Sequence, residues 1–158
     1  MRLDLVDRSR ETPPSGVFPG APERRLPTLV TYPKRAAGPL PLLVASHNLG
    51  GAPESLGYLA AHLASHGFVV AAPTFPLTSL SSSTGVGFDP SDIPQQPGDV
   101  SFVIDRLLAG GGAAAPPGEA ASLDPDAIGL LGVSGAPSPH SSRPSIGSDA
   151  MRASPRPR

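Results

Sequence analysis

Polar and apolar positions alternate over Arg2–Val6, with Leu3 and Leu5 set between charged neighbours. A period of two is the signature of a half-buried strand. Residues 8–24 follow with four prolines and two glycines and read as a loop. Leu26–Tyr32 (LPTLVTY) is a second β-rich run, closed by Pro33, and Leu40–Ser46 (LPLLVAS) is almost continuously apolar. Such a run predicts a strand covered on both faces.

The period then changes. In ESLGYLAAHLASHG, Leu56, Leu59, Ala60, Leu63 and Ala64 recur at helical spacing, and Gly67 is a natural stop. Phe68–Ala72 (FVVAA) is another apolar strand, so strand, helix and strand follow within about thirty residues, the spacing of a βαβ unit. Residues 77–98 are rich in Ser, Gly and Pro and predict a long loop. A second helix starts near Pro97, carrying Val100, Val103, Ile104, Leu107 and Leu108 on one stripe, with Asp99 suited to its first turn. Gly110–Gly112 end it, and Ala127–Val133 (AIGLLGV) predicts one more buried strand. The alternation favours an open α/β sheet of about five strands and two main helices.

After Ser134 no period survives. The segment GAPSPHSSRPSIGSDAMRASPRPR holds six Ser, five Pro and four Arg, and its large apolar residues are Ile146 and Met151. It buries too little to offset its ordering entropy and is expected to be disordered. The chain therefore divides into a partial α/β domain, 1–134, and a Ser/Pro/Arg-rich tail, 135–158.

Composition narrows the function. A length of 158 residues suits one domain, and a net charge of −1 points to neither nucleic acid nor an anionic membrane. The absence of cysteine excludes disulfides, thiolate metal sites and a cysteine nucleophile. The opening MRLDLVDRSR has no signal-peptide core, and no apolar run approaches the ~20 residues of a membrane span. A cytoplasmic location without a membrane span is the expectation. No metal site and no cofactor is predicted.

Two motifs carry candidate chemistry. Ser46-His47-Asn48-Leu49-Gly50-Gly51 follows the third strand, and its glycines allow a tight turn with N–H groups close to a ligand. The spacing is not GxGxxG and no GK[ST] follows, which argues against a phosphate cradle. Gly132-Val133-Ser134-Gly135-Ala136 ends the last strand. A nucleophile elbow needs small residues two before and two after the serine, and Gly132 and Ala136 meet that need, although glycine is usual at the second. Alone, the first motif is equally a plain turn, and a serine between glycines is more often just a turn. In this order they match the hydrolase arrangement, in which the loop after the third strand supplies one oxyanion donor and the residue after the nucleophile supplies the other.

With these stretches, VDRSR, LPTLVTYP, LLVASHNLGG, LAAHLASHGFVVAAPTFPLT, QQPGDVSFVIDRLL and LDPDAIGLLGVS, the chain resembles the α/β-hydrolase superfamily. It is most similar to the branch of predicted dienelactone hydrolases and platelet-activating-factor acetylhydrolase-like esterases or lipases, over residues 2–134. The resemblance implies the N-terminal part of an α/β-hydrolase sheet, cut after the nucleophile strand, and a small-molecule ester as substrate. It implies Ser134 as acyl-accepting nucleophile, with the Leu49 and Gly135 backbone N–H groups as oxyanion donors. His47, with Asn48, Gly50 and Gly51, belongs to the oxyanion loop and has a structural role. Asn48 stands where the family normally has glycine.

The superfamily places its acid and then its histidine after the serine. Here Asp149 and His140 follow in the wrong order on the tail, and His62 and His66 fall on the first helix, where exposed or packing roles are expected. No base is evident. Deleting one residue from G-V-S-x-G-A yields the observed G-V-S-G-A, and a GC-rich gene read in a wrong frame yields tails of this composition. A frameshifted product is therefore expected, with simple truncation as the milder variant. Three readings stay open: an inactive serine-esterase fragment, an esterase completed by a partner chain, and a non-catalytic α/β binding module.

Overall fold

The computed structural model of the chain describes residues 1–34, 38–110 and 122–133. Its elements, in order, are β1 (Arg2–Asp7), β2 (Arg24–Thr31), β3 (Leu40–Ser46), α1 (Gly57–Ser65), β4 (Val69–Pro73), α2 (Gln96–Leu108) and β5 (Leu123–Gly132). Short 3-10 helices at Pro53–Leu56 and Pro90–Gln95 lead into α1 and α2. No described helix is long and apolar enough to cross a membrane.

The five strands form one sheet in the order β1-β2-β4-β3-β5. β2 runs antiparallel to both β1 and β4, whereas β3 is parallel to β4 on one side and to β5 on the other. Strand alternation divides the core between two faces. Leu42 and Val44 of β3, with Val69 and Ala71 of β4, pack with Val103, Ile104 and Leu107 of α2. Their neighbours Ala45, Val70 and Ala72 pack on the opposite face with Leu56 and Ala60. A sheet covered on both sides explains why these strands read as continuous apolar runs.

The topology also fixes where a ligand can approach. The β3–α1–β4 connection runs to one side of β3, and β4–α2–β5 returns to its other side, with α1 and α2 on opposite faces. The order in which strands are added therefore reverses at the parallel pair β3 and β5, and in open α/β sheets ligands bind in the crevice beyond the strand C-termini at such a point.

Several expectations need correction. The predicted loop over 77–98 contains the 3-10 helix Pro90–Gln95, capped by the Asp89 carboxylate, which accepts from the Ser91 N–H at 2.9 Å. Its first residues are no surface loop: Leu77, Thr78 and Ser79 are all buried. The loop at 8–24 folds back on itself through Thr12 and Ala21, paired by amides at 2.8 and 2.9 Å. β5 begins earlier than Ala127 and its register slips between Leu40 and Leu42, where Asp124-Pro125-Asp126 bulges out. Proline cannot donate to the ladder, and the Asp126 N–H turns instead to the Asp124 side chain at 2.9 Å. β5 is also not buried as predicted, because among the described residues only β3 pairs with it, and Leu130 is 52% exposed.

Candidate functional site

The loop after β3 lies at the switch point, and its geometry follows from a few hydrogen bonds. His47 is 1% exposed. Its Nδ1 bonds the Asn48 carbonyl at 2.8 Å, and a carbonyl only accepts, so Nδ1 carries the proton. Nε2 then accepts the Phe75 N–H at 3.3 Å. Burial lowers the His47 pKa, against weaker pulls from Asn48 and Glu54, and keeps the ring neutral. With both nitrogens occupied, His47 braces the loop against the segment after β4 and has no free nitrogen for a substrate proton.

The two glycines are required by close approach. Gly50 has φ of 73°, and a Cβ there would lie 2.9 Å from the Phe88 ring. A Cβ on Gly51 would meet the Asn48 side-chain oxygen at 2.4 Å and its carbonyl at 2.8 Å. The Gly50 N–H donates to the Thr78 carbonyl and the Gly51 N–H to the Asn48 carbonyl, at 2.8 and 2.7 Å. The Leu49 N–H meets no acceptor among the described residues. Among the described residues it is thus the one amide of the Leu49-Gly50-Gly51 run without an acceptor. The Ser79 hydroxyl locks the loop from the far side by donating to the Gly51 carbonyl at 2.8 Å.

At the end of β5, Gly132 pairs with Ser46, and the Val133 N–H donates to the Ser46 carbonyl at 3.2 Å. Gly132 is therefore brought beside the start of the 47–51 loop. Ser134, Gly135 and Ala136 lie outside the described residues, as do His140, Asp149 and the rest of the tail.

Sequence reasoning missed a buried charge network behind this site. Arg24, Asp92 and Asp99 are each fully inaccessible to water. The Arg24 guanidinium donates to Asp99 at 2.8 and 2.6 Å and to Asp92 at 3.0 and 3.2 Å. Burial opposes the Arg24 charge, but the hydrogen bonds to Asp99 and Asp92 prevail and push its pKa up. Arg10 approaches Asp99 at 2.7 Å and bonds Asp7 at 2.7 Å. Asp92 also accepts from the Leu77 N–H at 3.4 Å, and Gln96 donates to the Thr78 hydroxyl at 2.8 Å. These contacts hold in place the segment on which the 47–51 loop rests.

Comparison with known proteins decides the fold. A ferulic acid esterase from Streptomyces cinnamoneus superposes with a TM-score of 0.62 at 23% identity, over 83% of this chain and 50% of that one. The chain has the fold of the N-terminal part of an α/β-hydrolase. Residues 21–90, less than half of the chain, match the family described as platelet-activating factor acetylhydrolase, isoform II. A Klebsiella pneumoniae protein solved under the name dienelactone hydrolase covers 84% of this chain and 50% of its own, at 18% identity and a TM-score of 0.48. No curated protein matches the sequence. The chain spans about half the length of these solved hydrolases.

Proposed function

We propose that the chain is the oxyanion-binding part of a serine carboxylic-ester hydrolase, with Ser134 as the acyl-accepting nucleophile and the Leu49 and Gly135 amides as oxyanion donors. The observation that carries this reading is the 47–51 loop. It leaves the Leu49 N–H unengaged at the switch point while consuming the two amides that follow, in the way a preorganised donor must stand ready for developing charge. Covalent continuity supports Ser134, since one peptide unit of about 3.8 Å separates its Cα from that of Val133. The resident esterase-branch match suits a small-molecule ester as substrate.

Within these 158 residues the chemistry is incomplete. A serine hydroxyl is a weak nucleophile until a histidine takes its proton and a carboxylate orients that histidine. His47 has no free nitrogen, and His140 and Asp149 follow Ser134 in the wrong order. We therefore read the chain as inactive alone, its tail from Gly135 as the product of a shifted frame.

The test is hydrolysis of a chromogenic short-chain ester by the full chain and by Ser134→Ala. Equal rates are expected. A rate that collapses on Ser134→Ala overturns the inactivity and favours a base supplied by a partner chain. Reading the gene in its other two frames past the Ser134 codon tests the shift: an amphipathic helix, further strands, an acid and then a histidine are expected. If neither frame stays open, the shift is wrong.

A further inference from the structure

The hydrolase reading makes no use of a histidine pair on α1. His62 and His66 are both exposed and four residues apart, the spacing that puts two side chains on one helix face. Their ring centroids are 4.6 Å apart. At this C-terminal end of α1 the His62 carbonyl is released from the helical ladder. It accepts the Ser65 hydroxyl at 2.6 Å and His66 Nδ1 at 2.9 Å. Because the carbonyl can only accept, the His66 proton sits on Nδ1, and the neutral ring offers its lone pair at Nε2. A ring nitrogen bonded to a backbone carbonyl, leaving the other free, is how metal-ligating histidines are usually oriented. The His62 ring nitrogens have no hydrogen-bond partner among the described residues, so that ring turns at little cost. An ion held tetrahedrally at about 2.1 Å from each nitrogen sets them about 3.4 Å apart, which rings with this separation can span. The negative end of the helix dipole adds to the attraction for a cation.

We propose that His62 and His66 form a two-imidazole chelate for a divalent late transition-metal ion, with water in the other coordination positions. Among the described residues no group of three or more His, Cys, Asp or Glu side chains could hold a metal, so this is an exchangeable surface site and not a buried structural one. Imidazole ligands favour Cu²⁺ over Ni²⁺ and Zn²⁺. The site lies towards the opposite end of α1 from the 47–51 loop, with His62 about 8 Å and His66 about 13 Å along the helix axis from Gly57, and is independent of the ester-hydrolase reading.

The experiment uses the full-length chain without a histidine tag, titrated with Cu²⁺ and then Zn²⁺ while the histidine ring signals are followed by NMR. The signals of His62 and His66 are expected to respond together, before those of His47 and His140. Either His62→Ala or His66→Ala should weaken binding at least about tenfold, because the second contact of a chelate is intramolecular. The double substitution Ala61→His with His62→Ala keeps two histidines but sets them five residues apart, off the shared face, and it should bind as weakly as a single variant. All these positions are exposed, and unchanged metal-free melting curves check that the fold is intact. Equal affinity in the parent chain, the single variants and the displaced pair, or no response to either ion, overturns the chelate.

Discussion

Arg24 and Asp99 meet through two hydrogen bonds, 2.8 Å from Nε and 2.6 Å from Nη2, with both side chains sealed from water. The pair ties the start of β2 to the first turn of α2, across 75 positions of sequence. A second carboxylate, Asp92, takes the remaining face of the guanidinium.

Removing one partner of such a pair leaves an uncompensated charge in the interior. Arg24→Ala is expected to lower unfolding free energy by about 3–5 kcal/mol. The triple variant Arg24→Met, Asp92→Asn, Asp99→Leu should recover much of that loss. Urea titrations of the parent, single and triple variants check both statements. A triple variant as unstable as the single would show that the network holds the fold by more than charge balance.

Stability should fall on acidification in two stages. The folded pKa of His47 lies below its ordinary value, because burial disfavours the imidazolium. Below about pH 6.5 the unfolded chain takes up a proton that the folded chain refuses. Stability present above that pH is therefore lost as pH falls towards the folded value. Asp7 acts at lower pH. Burial pushes its carboxyl up, but hydrogen bonds from Ser9 and Arg10 outweigh this and hold it below its ordinary 3.8. Its contribution, present above that value, disappears as pH falls through the folded pKa. Urea midpoints followed across pH should show the first decline, and His47→Gln should flatten it.

Two glycines give opposite expectations. Gly51→Ala forces a methyl against Asn48, whose nearest atoms lie at 2.4 and 2.8 Å, and should destabilise the chain by about 1–3 kcal/mol. Gly57 begins α1 with φ of −58° and has nothing within 4 Å of an added Cβ. Gly57→Ala should therefore stabilise by about 0.4–1 kcal/mol. Thermal melts of the two variants against the parent decide the matter.

From Ala127 to Val133 the end of the chain's last described strand is uncharged and partly exposed, with Leu130 at 52% and Val133 at 36%. Unprotected edges of this kind template association. The chain should form larger species as its concentration rises, and Leu130→Lys should shift the distribution towards monomer. Size-exclusion chromatography with light scattering reads the outcome.

The sheet was legible because its signal is local. Leu42 through Ala45 are apolar in succession, and only a strand between two helical layers needs that. The loop glycines at 50 and 51 were legible for a related reason, since close backbone approach leaves few other residues. What was not legible depends on partners far away in sequence. Thr78 and Ser79 sit in a Ser- and Pro-rich stretch that composition assigns to a surface loop, yet they are buried by contacts with Gly50 and Gly51, 28 positions earlier. Asp99 looked like an ordinary first-turn acid, and nothing near it announces the arginine it faces. The Leu49 amide could be named from the motif, but that its neighbours are occupied is visible only once the chain after β4 is in place.

The hydrogen bonds made within the loop at 47–51 end on residues between Asn48 and Ser79, so its direct partners all lie in the unit β3–α1–β4 and the short buried run after it. On the proposed reading, charge stabilisation at Leu49 and any proton handling beyond Ser134 would occupy separate lengths of polypeptide.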